Sequence, residues 1–155
     1  MFAAASPHSS NLIRDAGLRV TRQRVAVLDA VDAGPHASAA AVLATVSAVL
    51  PSVSHQAVYD CLAHLTDAGL LRRFVVDGGP ALYETRTHDN HHHFVCRACG
   101  HIADVDCAAG AAPCLDIADA AGFVVDEAEI TYRGLCRSCA ATPAESVSSS
   151  LNLNS

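Results

Sequence analysis

The sequence predicts an α+β chain, with a winged-helix domain over residues 1–83, a small α/β domain over 84–140 stapled at four cysteines, and a mobile tail over 141–155. Three observations carry that prediction. Capping residues recur ahead of apolar helical patterns through the first half, a β-hairpin signal follows them, and two CxxC pairs mark the start and the end of the second half.

In chain order, Ser10 is placed to cap "NLIRDAG". Thr21 is placed to cap "RQRVAVLDAVDAG", with Val25, Leu28 and Val31 on one face, and Ser38 to cap "AAAVLATVSAVL" before Pro51. Ser54 opens a fourth helix, "HQAVYDCLAHLTDAG", where Val58, Leu62 and Leu65 fall at helical spacing and Gly69 stops the run. "LLRRFVV" and "ALYET" then flank "DGGP", which has the turn chemistry of a hairpin. Helices in series closed by a two-stranded hairpin make a winged helix.

The second half changes character. "HHFVC", "GHIADVD" and "GFVVDEAEITY" read as short strands, and Pro113 opens a helix through "CLDIADAA" to Gly122. A unit of about fifty residues buries little apolar area, so a structural metal, a dimer interface or both are expected to support it. From Thr142 on, the Ser/Asn-rich "TPAESVSSSLNLNS" is expected to be mobile.

Composition narrows the partners. Of the 155 residues, 51% are hydrophobic and 17% charged, so the chain is expected to fold. Lysine is absent and all ten cations are Arg. Arginine suits bidentate phosphate and base recognition, although a genome biased towards Arg and Ala codons accounts for the same fact. The net charge of -6 argues against a protein that coats polyanions generically. Through Glu84 there are six Arg against seven acids, and beyond it four against nine, so any nucleic-acid face belongs to the first half. With no long apolar run and no basic start to "MFAAASPHSS", a cytoplasmic location is expected. Seven cysteines there read as metal ligands or thiol sensors rather than a disulfide framework.

Cys96 with Cys99, and Cys136 with Cys139, form two CxxC pairs separated by 36 residues. Each tight turn aims two sulfurs at one point, and two such turns supply the four thiolates of a structural Zn²⁺. A redox CxxC needs only one pair. Cys61 falls on the fourth helix and reads as a small buried residue, while Cys107 and Cys114 bracket "AAGAAP" and are candidates for a reversible redox pair.

Zinc at the cysteines leaves "NHHHFVC" unexplained. On a strand His91 and His93 share one face while His92 points to the other, and Asp104 on the next strand can reach the first two, which makes a second metal site. In a winged helix the first turns of the recognition helix enter the major groove, which here means Ser54, His55, Gln56, Ala57 and Tyr59. Gln pairs with adenine, and Ala and the Tyr ring meet thymine methyls, so an A·T-rich duplex is expected. Arg19, Arg22 and Arg24 surround the start of the second helix as backbone or minor-groove contacts. Tyr59 alone also reads as a packing aromatic.

The segments "GLRVTRQRVAVLDAV", "PHASAAAV", "VSHQAVYDCLAHLTDAGLL", "LYE", "HHHFVCRACG" and "GLCRSC" together resemble the ferric uptake regulator (Fur) family of metal-dependent repressors, over roughly residues 12 to 140. Within it, "NHHHFVCRACGHIADVDCAAGAAPCL" is most similar to the subgroup that represses a catalase-peroxidase gene and responds to iron and peroxide. The resemblance implies a homodimer on a palindromic operator and a regulatory ion held between the domains by His36, Glu84, His91, His93 and Asp104. It also implies that Arg19 reaches the minor groove, and that peroxide acts at His36 and His91 when the ion is Fe²⁺. Three imidazoles and two carboxylates suit Fe²⁺ or Mn²⁺, while Zn²⁺ binds such a set at least as tightly, so a zinc- or manganese-sensing member of the family is the alternative. Two departures stand out. Asn90, Ala111 and Ala128 occupy positions where some members carry ligands, so no third site is expected beside His92, and Asp60 replaces a basic or amide residue. An enzyme is disfavoured: five protein ligands leave little room for substrate, and no HExxH or nucleophile motif occurs.

Overall fold

Thr21, Ser38 and Ser54 each sit in extended backbone, and their hydroxyls accept from the N–H three residues on, at 3.2, 3.2 and 3.1 Å. Each satisfies one of the donors a helix start leaves open, and so fixes where α2 (Arg22–Ala33), α3 (Ala39–Val49) and α4 (His55–Asp67) begin. Ser10 does not cap. In the computed structural model, which describes residues 6–87, 91–106, 121–124 and 130–141, α1 spans Pro7–Asp15. The reason is Pro7, whose preset φ opens the helix at its first position, while Ser9, one turn in, donates to Asp29 on α2.

Both α1 and α4 end in Schellman turns. Gly17 and Gly69 take φ of 75° and 72°, and the N–H groups of Leu18 and Leu70 return to the carbonyls of Ile13 and Leu65. Ile13, Val25, Leu28, Val31, Val42, Val46, Val58, Leu62 and Leu65 are buried in a single core. Fully burying one such side chain stabilises the fold by roughly 1.5–3 kcal/mol, so the stripe on α4 both anchors that helix and decides which face it leaves outside.

The hairpin forms as β2 (Arg72–Val75) and β3 (Ala81–Glu84). Asp77 and Gly78 have φ of 52° and 70°, and the Gly79 N–H reaches the Val76 carbonyl at 2.9 Å, a type I′ turn. A two-residue strand, β1 (Ala37–Ser38), adds to the far edge and gives the order β1-β3-β2, a third strand absent from the sequence prediction. Tyr83 and Leu71 join the helical core, and Arg72 lies directly across from Glu84.

The chain divides into two compact units, residues 1–89 and 90–155, with β3 and its Glu84 in the first. In the second, β4 (His91–Cys96) pairs antiparallel with β5 (Ile102–Asp106) and parallel with β6 (Thr131–Gly134), in the order β5-β4-β6. A short helix, α5 (Arg137–Ala141), follows Cys136 and was not foreseen. Residues 121–124 form a turn and coil instead of continuing a strand, with Ala121 and Gly122 both at positive φ. The helix expected from Pro113 and the tail from Thr142 lie outside the described residues, as do Cys107, Cys114, Asn90, Ala111 and Ala128.

Candidate metal centres

The first CxxC leaves β4 in a tight turn. The Cys96 N–H bonds to the His101 carbonyl at 2.9 Å, the Gly100 N–H returns to the Cys96 carbonyl at 2.9 Å, and Gly100 takes φ of 73°. The second follows β6, which lies parallel to β4 with Gly134 opposite Cys96. Sequence-distant cysteines thus meet because β4 and β6 are neighbours in one sheet. The sulfurs of Cys96, Cys99, Cys136 and Cys139 all lie within 4.8 Å of one another, and those of Cys99 and Cys136 are 3.8 Å apart. A tetrahedron with metal–sulfur arms of about 2.3 Å has edges of about 3.8 Å, so the quartet fits Zn²⁺.

The electrostatics agree with that fit. The Cys136 N–H donates to the Cys96 sulfur at 3.3 Å and draws that thiol down to about 6. Hydrogen bonding to the Cys136 sulfur holds the Cys139 proton, and its thiol is pushed up to about 12. Four sulfurs this close ionise together only around a cation. Cys61 is buried on α4, and burial raises its thiol, as suits an inert core residue.

Each unit also carries its own histidine–carboxylate set. In the first, His36 precedes β1 with φ of 64°, and its Nε2 stands 3.5 Å from Oε2 of the buried Glu84. The Phe74 ring meets the His36 imidazole edge-on, with centroids 5.8 Å apart. Arg72 approaches the other Glu84 oxygen, Oε1, at 3.8 Å. Neither Phe74 nor Arg72 was singled out from the sequence. The signal was strand alternation: both share one face of β2, but only the hairpin register says what stands opposite.

In the second unit, β4 and β5 pair His93 with Asp104, and His91 lies two residues away on the same face. Both Nε2 atoms are 3.9 Å from Oδ1 of Asp104, and the two rings stand 5.0 Å apart, edge to face. All three β4 histidines are buried, at 1, 2 and 0% exposure, which for polar rings demands polar partners or a metal. His92 points the other way, as alternation requires, and its ring meets Tyr132 at 6.2 Å.

On α4, Val58 and Leu62 face the core while Ser54, His55, Gln56 and Tyr59 are exposed and Ala57 is half-buried. Asp60 has a partner: the Gln56 Nε2 donates to its Oδ1 at 2.7 Å. Arg19 and Arg22 are exposed, and Arg24 donates from Nη1 to the Arg19 carbonyl at 2.7 Å, bracing the turn that leads into α2. No helix among the described residues is long and apolar enough to cross a membrane.

Comparisons with known proteins converge on this arrangement. The family model described as the ferric uptake regulator family matches residues 15–133. The chain is 56% identical over 133 residues to the transcriptional regulator FurA of Mycobacterium bovis, which covers 86% of this chain and 90% of that protein. It is 58% identical over 123 residues to ferric uptake regulation protein 1 of Mycolicibacterium fortuitum, covering 79% and 76% of the two chains. The solved ferric uptake regulator of Pseudomonas aeruginosa with manganese superposes with a TM-score of 0.67 at 28% identity, over 83% of this chain and 98% of that one. A helical core ending in a hairpin, a four-sulfur cluster and sequence identity across most of the length lead to one conclusion: the chain belongs to the ferric uptake regulator family and is a metal-responsive transcriptional regulator.

Proposed function

We propose that this protein is an Fe²⁺-dependent repressor in which one regulatory ion per chain is bound by His36, Glu84, His91, His93 and Asp104. Zn²⁺ at Cys96, Cys99, Cys136 and Cys139 serves only structure. The observation that carries the reading is the division of donors: His36 with Glu84 belongs to the first unit, and His91 and His93 with Asp104 to the second. Two side chains in one set and three in the other are few for an ion that favours about six donors, and the five together come closer, so a shared ion would link the units and favour one mutual orientation.

The DNA-reading residues in this proposal are Ser54, His55, Gln56, Ala57 and Tyr59 in the major groove, with Arg19, Arg22 and Arg24 on the backbone and minor groove. Two such heads on a homodimer match a palindromic, A·T-rich operator in the cytoplasm. A dimer is supported by the exposed apolar side chains of the second unit, Phe123, Val124, Tyr132 and Leu135, at 79, 95, 45 and 52% exposure. Targets are genes of catalase-peroxidase defence and iron handling, with repression lifted by metal loss or by peroxide damage to His36 or His91. Cys107 and Cys114 are a second candidate for the oxidation step. A zinc- or manganese-sensing role is the alternative, and the Pseudomonas aeruginosa ferric uptake regulator is a relative solved with manganese.

The test is operator binding by zinc-loaded protein at buffered free Fe²⁺, Mn²⁺ and Zn²⁺. Fe²⁺ is expected to restore binding at the lowest free concentration relative to its cellular level, and His91→Ala to abolish the metal response while zinc content and helical signal persist. Wild-type operator binding by His91→Ala would remove the proposal.

A further inference from the structure

We propose that Arg72 sets the affinity of the regulatory site by holding a fixed positive charge against one oxygen of Glu84, a role that rests on the reading of Glu84 as a metal ligand. Arg72 and Glu84 are directly opposed on β2 and β3, so their side chains project from the same face of the hairpin. Two groups approach the carboxylate at different oxygens: Oε1 faces the Arg72 Nη1 at 3.8 Å, and Oε2 faces the His36 Nε2 at 3.5 Å. Glu84 is 1% exposed and Arg72 15%, so solvent screens the pair far less than it would on the surface.

Two opposite consequences follow for a divalent ion arriving at Oε2. Arg72 orients the carboxylate, which spares the ion the cost of ordering one side chain and strengthens binding by about tenfold at most. Arg72 also places a like charge on the far side of the same carboxylate. At the effective dielectric of a partly buried site, that repulsion weakens binding by about a hundredfold or more. The charge effect is larger, so Arg72 is a brake. It keeps the site responsive to changing metal concentration instead of permanently filled. Arg72 also leaves Oε2 as the donating oxygen, directing Glu84 towards one-oxygen ligation beside His36.

The experiment measures Mn²⁺ binding directly, from the free-ion paramagnetic resonance signal, on full-length zinc-loaded protein at pH 7.5. Arg72→Gln is expected to bind Mn²⁺ about ten- to a hundredfold tighter. Arg72→Lys, which retains the charge, is expected to stay within about threefold of wild type. Unchanged or weaker binding by Arg72→Gln overturns the brake. Should that variant lose its helical signal, Arg72→Met gives the same reading. Glu84→Gln separates the two ideas: it is expected to weaken Mn²⁺ binding and to cancel the gain from Arg72→Gln in the double variant. Wild-type affinity in Glu84→Gln means that Glu84 is not a ligand, whereas weakened binding there with no gain in Arg72→Gln rejects the role of Arg72 alone.

Discussion

His36 presents its imidazole to Glu84 from a backbone at φ of 64°, a left-handed conformation that costs a residue with a Cβ roughly 1–2 kcal/mol. Strain of that kind persists where the surroundings hold it, and here the holders are the Glu84 carboxylate and the Phe74 ring. His36→Gly is therefore expected to be more stable than His36→Ala by about 1 kcal/mol in urea denaturation, because both lose the ring and only glycine relieves the backbone. Equal midpoints would mean that the conformation carries no strain. On α4, Asp60 accepts a hydrogen bond from Gln56 and so restrains the side chain proposed above to read bases. Asp60→Ala frees that amide and deletes a negative charge from the exposed face. Non-specific binding should then rise, and the preference for operator over unrelated duplex should fall by about tenfold, as measured by competition at fixed salt. A preserved preference would assign Asp60 no part in reading bases.

Elements were legible wherever one local rule governed them. The caps at Thr21, Ser38 and Ser54, the stops at Gly69 and the I′ turn at Asp77–Gly78 all follow from side chains acting within four residues. Ser10 misled because Pro7 offers an equally good start one turn earlier and the tie is broken by Asp29, distant in sequence. Hairpin register was hidden for a comparable reason. Counting outward from the turn places Leu71 opposite Glu84, whereas Pro80, which has no N–H to pair, adds one residue to the loop and brings Arg72 there instead. The α4 stripe admits a direct check. Leu62 is fully buried, so Leu62→Ala is expected to cost about 2–5 kcal/mol and to release α4 from the core, read as a lower thermal midpoint and lost operator binding. A loss under about 1 kcal/mol would place Leu62 outside the cooperative core.

At the scale of the molecule, the four-cysteine cluster could be read from spacing alone, because CxxC dictates its own geometry and only the pairing of two knuckles needs the sheet. The proposed regulatory set could not. His91 and His93 announce themselves by alternation, but nothing in the vicinity of His36 or Glu84 in the sequence marks either as a ligand, and the family resemblance supplied both. The central claim is that metal binding and operator binding are one coupled equilibrium. Coupling is reciprocal, so the duplex must tighten the metal by the same factor that the metal tightens the duplex. The direct measurement is the Mn²⁺ dissociation constant of zinc-loaded protein with and without saturating operator. A tightening of about 5- to 150-fold is predicted, and an identical constant in the two conditions would contradict the account.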